Sequence, residues 1–196
     1  MMRMFRPAFV LFVGFTLLTG VAYPLVVTGV ADALFAWQAQ GSVLAVQGKP
    51  VGSALIGQSF SAAKYFWGRP SATSPQPYNG LASGGSNLGP TNPAELAAVK
   101  TNVDALRSAD LAEADKPVPI DLVTASGSGL DPDISLAGAD YQVARVAQAR
   151  GISARQVQQL VDRFARRPWM GLFGEPRVNV LALNLALDGL HPLRVR

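Results

Sequence analysis

From Pro7 to Ala31 the chain carries no charged residue, an unbroken run of 25 positions, and that run constrains everything else the chain can fold into. Crossing about 30 Å of hydrocarbon takes roughly 20 apolar residues at 1.5 Å each, so this run can span a bilayer with some tilt. Its apolar blocks are Phe9-Val10-Leu11-Phe12-Val13, Leu17-Leu18 and Leu25-Val26-Val27. Gly14, Gly20, Pro24 and Gly29 would weaken a soluble helix but are tolerated in lipid. Pro24 is expected to kink the span, while Gly14, Gly20 and Thr28 offer small surfaces where another helix can pack closely. Arg3 and Arg6 precede the span and Asp32 is the first charge after it. The positive-inside rule therefore predicts a single-pass protein of the inner (plasma) membrane, N-terminus cytoplasmic and remainder exported. A cleaved signal peptide is the competing reading, with small-x-small sites at Gly20-Val21-Ala22 and Ala31-Asp32-Ala33. The run is much longer than the 7–15 residues of a signal core, which favours a retained anchor over residues 1–34.

The exported part, 35–196, keeps roughly 160 residues, enough for one buried core. The chain contains no cysteine and one histidine, His191. That excludes a disulfide framework, a zinc ribbon, a cysteine nucleophile and a multi-histidine metal centre. A Ser-His-Asp site would have to use His191, in the loop-like run Gly189-Leu190-His191-Pro192, where a solvated histidine is the simpler reading. Fourteen Pro and 19 Gly argue against a simple helical bundle, and with these catalytic centres excluded the chain reads as an accessory chain, not an enzyme complete in itself.

Periodicity and punctuation predict an α+β domain of short strands and three or more helices. Residues 42–47 and 50–56 read as two strands around a turn at Gly48-Lys49. Phe60, Tyr65, Phe66 and Trp67 form an aromatic cluster read as core. Between Gly68 and Pro93, 17 of 26 residues are Gly, Pro, Ser or Asn, a loop long enough to be either functional or disordered. Asn92-Pro93-Ala94-Glu95 reads as a capping box opening a helix to about Asp110, with Leu96, Val99, Val103 and Leu106 on its buried face. Residues 118–125 read as a strand and 126–135 as a Gly/Ser turn centred on Asp131-Pro132. Helices follow at 136–150, stopping at Gly151, and from the capping box Ser153–Gln156 to a point before Pro168. Residues 177–187 read as a strand and then a short helix.

Charge is uneven: residues 32–140 hold six basic and ten acidic groups, and 141–196 nine and three. Arg145, Arg150, Arg155, Arg163, Arg166, Arg167 and Arg177 read as one positive face. An exported domain does not meet nucleic acid, leaving solvent, anionic lipid headgroups or an acidic partner as what that face meets. Three Gly-rich stretches, 79–89, 126–129 and 171–174, have the look of anion-binding loops. No Gly-x-x-x-x-Gly-Lys-Ser/Thr occurs, however, and on spacing they are turns. Ser83-Gly84-Gly85-Ser86 is loosely like the signature loop of transporter ATPases. Asp131 and Asp133, with Asp121 nearby, lack the ligand alternation of a calcium loop; helix capping explains them more simply.

Several stretches taken in order carry a resemblance: Arg6-Pro7-Ala8, Leu18 to Leu25, Tyr65-Phe66-Trp67-Gly68-Arg69-Pro70-Ser71, Asn79-Gly80, Gly89 to Pro93, Pro119 to Ser135, and Val178 to Asn184. In these the chain resembles, over almost its whole length, the C subunit of the Kdp potassium-transporting P-type ATPase. The Ser128-Gly129-Leu130-Asp131-Pro132-Asp133-Ile134-Ser135 block is specific, although the family often has His where Asp133 stands. The resemblance implies a complex that takes up potassium using ATP. A channel-like subunit selects the ion, a P-type subunit hydrolyses ATP, a small single-helix subunit stabilises the assembly, and this chain joins them in the membrane lipid. No Asp-Lys-Thr-Gly phosphorylation motif is present, which places the chemistry, and the handling of potassium, on the partners.

The resemblance further implies a catalytic chaperone that raises the ATP affinity of the hydrolysing subunit. Ser83, Gly84, Gly85, Ser86 and Asn87 match the nucleotide-contacting loop, with ATP bound only transiently; yet the charge rule puts this loop outside the cell, away from ATP. The acidic stretch 104–133, with Asp110, Glu113 and Asp115, is expected to concentrate cations near the ion entrance. The alternative from another class is an exported lipid- or ligand-binding module acting without a pump, with the Gly/Ser loop as its site.

Overall fold

A computed structural model describes residues 2–110, 114–168, 174–189 and 193–194. The chain divides into two compact units, a helical one up to Val43 and a second from Leu44 to Leu193.

The first unit follows from the uncharged run. Helix α1 (Met2–Leu17) continues through a π-helical turn at Leu18–Ala22 into α2 (Tyr23–Ala39). From Met4 to Ala39 it is apolar, with mean hydropathy reaching 2.1 and no buried residue in its most apolar stretch; 36 residues at about 1.5 Å extend roughly 54 Å. Pro24 does not break it. The backbone at Ala22 and Tyr23 stays right-handed helical, and Tyr23 N–H reaches back five residues to Leu18 O. A wider turn accommodates the proline ring that would otherwise press on the carbonyl four residues back. The departure from helical geometry comes at Phe35 (φ −136°, ψ 38°). The unit closes where Trp37 Nε1–H donates to Val43 O at 3.0 Å and Ser42 N–H to Trp37 O at 2.9 Å.

The rest of the chain runs β1 (Val43–Val46), β2 (Lys49–Ser53), α3 (Pro93–Ala109), a 3₁₀ turn (Ile120–Leu122), β3 (Asp133–Ser135), α4 (Leu136–Arg150), α5 (Ala154–Phe164), β4 (Ala165–Arg166), β5 (Arg177–Asn179), α6 (Val180–Leu187) and β6 (Leu193–Arg194). The sheets have the orders β2-β1-β6 and β3-β5-β4. The β1–β2 turn sits one residue earlier than the sequence suggests. Its central pair is Gln47 (φ 51°) and Gly48 (φ 77°), the doubly positive φ of the tight hairpin turn whose twist matches its strands.

In the second sheet β5 pairs antiparallel with both neighbours, Ile134 and Ala165 each opposite Val178. Strands this short add few ladder bonds, so packing must hold the fold. Val146, Val157, Val161, Val178 and Leu183 are fully buried, with Ile134 and Phe66, between the sheet and α4, α5 and α6. Each such side chain contributes about 1.5–3 kcal/mol. Helix α4 is capped by Ser135, whose Oγ accepts from Gly138 N–H, and stops at Gly151; the Ser153–Gln156 capping box opens α5, as its residues predict.

Three expectations fail for identifiable reasons. Residues 118–125 form no strand: Pro117 and Pro119 supply no ladder donors, and the segment turns instead. Asn92 caps α3 through Ala94 N–H, but Glu95 takes a hydrogen bond from Ser86 Oγ at 3.3 Å, so no reciprocal box forms. Leu96 is 56% exposed: the apolar contacts of α3 with the core are made by Val99, Val103 and Leu106.

Candidate functional site

Two neighbouring features organise the second unit, one centred on Tyr65-Phe66-Trp67 and the other on Ser126–Ser135, both within stretches that carry the family resemblance. The first is the segment Tyr65-Phe66-Trp67, which follows a turn closed by Tyr65 N–H on Ala62 O and belongs to no strand. Two side-chain amides take the place of a strand partner. Asn184 Oδ1 accepts Phe66 N–H at 2.8 Å and its Nδ2 donates to Phe66 O at 3.0 Å. Gln142 does the same for Trp67, at 2.8 and 3.1 Å. Arg145 donates to Ala63 O, Tyr65 O and Gln142 Oε1, and its guanidinium lies 4.4 Å from the Trp67 ring centroid. Arg150 donates to Lys64 O, Leu187 O and Asp188 Oδ1, while Tyr65 OH donates to Asp188 Oδ2.

The aromatic segment is therefore clamped in place by these side chains, with Phe66 fully buried and Phe60, Tyr65 and Trp67 half-buried. Burial lowers the Arg145 pKa to about 10, against the opposing effect of Asp110. At Asp188 burial raises the pKa, but the bonds from Arg150 and Tyr65 outweigh it and hold the carboxyl below its usual range. Sequence reading missed Asn184, Gln142 and Arg145 as clamps. The signal was present: Asn184 interrupts the otherwise apolar Val180–Leu187, and a polar residue there needs a buried partner.

The second feature is the Ser126–Ser135 segment, whose carbonyls hold the surrounding loops. Gly57 N–H donates to Leu130 O, Gly84 N–H to Ser128 O, and Val180 N–H to Pro132 O. Ser71 Oγ donates to Gly129 O at 2.6 Å and Ser83 Oγ to Ser128 O at 3.0 Å. The long Gly/Pro/Ser/Asn loop is thus ordered by these bonds. Tyr78 N–H donates to Ser71 Oγ and Tyr78 OH to Arg69 O; burial, then Asp131, raises the Tyr78 pKa. Two of the glycine stretches meet here. A Cβ on Gly129 (φ 65°) would lie 2.6 Å from Gly84 O, and one on Gly85 3.0 Å from Gly127 O. Their glycines allow two backbones to touch. Of the nucleotide-loop candidates, Gly84 N–H is held by Ser128 O, Ser86 Oγ by Glu95 and Asn87 Nδ2 by Gly85 O, with Ser83 and Asn87 exposed. Of the third stretch, residues 171–173 lie outside the described residues, as do Glu113 and His191.

The aspartates are occupied, though not as helix caps. Arg69 pairs with Asp131 at 3.1 Å and Arg177 with Asp133 at 2.9 Å; Asn179 Nδ2 also donates to Asp133 Oδ1. Asp121 accepts both Ser135 N–H and Ser135 Oγ, bracing the residue that caps α4. Among the described residues no group of three or more His, Asp or Glu is placed to hold a metal. Asp110 is buried, next to Arg145, and so does not face solvent as a surface acid would. Two clefts border these features. One, of about 320 Å³, lies among Phe60, Trp67, Arg69, Tyr78, Asn102 and Leu106; the other, of about 200 Å³, among Arg69, Asp121, Asp131, Glu175 and Arg177.

In the helical unit Gly14 and Gly20 stand six residues apart, roughly 240° around a helix at 100° per residue, and do not share a face. The π turn takes up one extra residue. Counting it, Gly14, Ala22 and Gly29 fall within about 40° of one another, with open space beside both glycines.

The chain matches the family model KdpC, described as "K+-transporting ATPase, c chain", over residues 5–189. Among curated relatives it is similar to the potassium-transporting ATPase KdpC subunit of Methylibium petroleiphilum, 62% identical over 192 residues covering 98% of this chain and 100% of that one. The KdpC subunit of Polaromonas naphthalenivorans is 62% identical over 193 residues, 98% of each chain, and that of Paraburkholderia phytofirmans 60% over 188 residues, 96% of this chain and 97% of its own. With an apolar N-terminal helix and an α+β domain, and matched over nearly its whole length, the chain belongs to the KdpC family, the c-chain subunits of potassium-transporting ATPases.

Proposed function

We propose that this chain works as the non-catalytic joining subunit of an ATP-driven potassium uptake pump, anchored by the helix spanning residues 7–31, N-terminus cytoplasmic and α+β domain exported. The observation that carries this reading is the way chemistry-bearing side chains are spent on structure. Asp121, Asp131, Asp133, Gln142, Arg145, Asn179 and Asn184 all hold backbone or one another, which builds a rigid platform, not a reaction centre. Gly14, Ala22 and Gly29 supply the helix face for a partner, since helices in lipid associate where small residues let backbones approach. Partners by family are a channel-like potassium subunit, the ATP-hydrolysing P-type subunit and a small single-helix subunit.

The chaperone effect on ATP affinity belongs to the same proposal, with Ser83–Asn87 as the segment matching the family's loop. On the topology favoured here it acts through the assembly. Replacing Ser83 and Asn87 by Ala in the whole pump should then leave its KM for ATP unchanged, while direct contact would raise it.

The decisive experiment is to solubilise membranes of potassium-starved cells in mild detergent, pull on a C-terminal tag and identify the co-purifying chains and this chain's N-terminus. A P-type ATPase and a channel-like protein recovered with an intact anchor support the proposal. The chain recovered alone, beginning near Tyr23 or Leu34, would mean a processed module acting by itself.

A further inference from the structure

The seven arginines that read as one positive face in the sequence do not form one. Arg145 and Arg150 turn inward onto carbonyls and Asp188, and Arg177, though exposed, is paired with Asp133. That leaves Arg155, Arg163, Arg166 and Arg167, all exposed, and none paired with an acid among the described residues. We propose that these four, along the exposed side of α5 and on the strand β4 and the residue that follow it, are a docking surface for anionic lipid headgroups.

Three observations carry this. First, local structure does not account for the charges. Cations at Arg163, Arg166 and Arg167 suit the C-terminal end of α5, but Arg155 stands in its first turn, where a helix disfavours positive charge, and α5 has no acid in that turn. Second, the apolar side of α5 is already consumed: Val157 and Val161 are fully buried in the domain core. The outward side therefore offers ionic contact, not insertion, and arginine presents paired donors that match phosphate oxygens. Third, the surface is tethered. Only residues 40–43 separate the end of α2 from the start of the second unit at Leu44, at most about 14 Å of extended chain. On the anchored reading, on which this inference rests, the tether confines the domain to one side of one membrane. An anionic leaflet then favours the docked state by about fivefold per arginine near its surface.

The chain has no cysteine, so Gln159→Cys, between Arg155 and Arg163 on the exposed side, gives a single labelling position. The full-length chain carrying a fluorophore there is reconstituted into nanodiscs of phosphatidylcholine alone or with 30% phosphatidylglycerol, each with a headgroup-attached quencher. Intact mass of the incorporated chain reports separately whether the anchor is retained. The expected result is at least threefold stronger quenching with phosphatidylglycerol. It should be abolished in 0.5 M salt, where screening falls to a few ångströms, and reduced about fivefold in docked-to-free ratio for each of Arg155→Gln and Arg163→Gln, with unchanged thermal melting. Quenching independent of phosphatidylglycerol or of salt overturns the proposal. So does a probe that becomes shielded only when the other pump subunits are present, which would assign the surface to a protein partner.

Discussion

Replacing Asn184 by Leu tests whether the clamp on Tyr65-Phe66-Trp67 holds the domain together. In the native fold Phe66 is wholly buried and its N–H and C=O both bond to the Asn184 amide, itself 2% exposed. Leucine matches the shape closely and removes both partners. Each orphaned buried backbone group costs about 1–3 kcal/mol, so the pair loses about 2–6 kcal/mol. Burying the leucine side chain instead returns about 1.5–3 kcal/mol, leaving a net loss centred on about 2 kcal/mol. For a domain of this size each kcal/mol moves Tm by roughly 2–4 °C, which sets the expected fall at about 4–8 °C. The measurement is thermal unfolding of the full-length chain in mild detergent, followed by near-ultraviolet circular dichroism at one scan rate. Leu181→Met, on the same helix and nearly equal in volume, serves as control and should cost under about 1.5 kcal/mol. If Asn184→Leu melts within the range of that control, the side-chain pairing contributes no more than ordinary packing and the clamp argument fails.

Other consequences can be checked in the same preparation. Gly129→Ala forces a side chain into a left-handed position and onto Gly84 O and Thr73; it should release the 79–89 loop to limited proteolysis, whereas Gly84→Ala, with open space beside it, should not. Asp188 has a lowered folded pKa, so its contribution is present above the ordinary carboxylate range and is lost as pH falls through the folded value. Asp188→Asn should therefore flatten the acid limb of a Tm-against-pH curve, lowering Tm at neutral pH but not once the native carboxyl is itself protonated. Gly29→Leu should reduce recovery of partner subunits in the pull-down severalfold, and Gly20→Leu should reduce it little, because Gly20 lies off the Gly14–Ala22–Gly29 face; equal losses would contradict that face assignment.

Local signals in the sequence predicted local structure well. Ser153-Ala154-Arg155-Gln156 closes a reciprocal cap, Gly151 ends α4, and residues 177–187 make a strand and then a helix, because each depends on residues within one turn. Errors arose where a distant residue decided. Glu95 would have closed its own box had Ser86 not been nearby. Asp133 looks like a cap candidate until Arg177, 44 residues on, pairs with it. Leu96 keeps perfect helical spacing with Val99, Val103 and Leu106, yet no element covers it, and periodicity alone does not report how wide a helix's contact is.

The long loop shows the same limit from the other side. Its composition predicts a segment that cannot fold around its own core, and that is correct: order comes from Ser128 and Gly129 carbonyls that lie some 45 to 58 residues away. Glycine is needed on both sides of such a contact, since a Cβ at Gly85 or Gly129 would meet the opposite backbone. Two Gly-rich stretches that look like independent anion loops are then one joint, and the likeness to phosphate-binding sequences arises because both uses demand backbone without side chains. What separates them is where the amides point. Here the Gly84 N–H is directed at a carbonyl of the same chain, so the glycine pattern is accounted for by the joint itself, and any role for Ser83 and Asn87 must come from their exposed side chains.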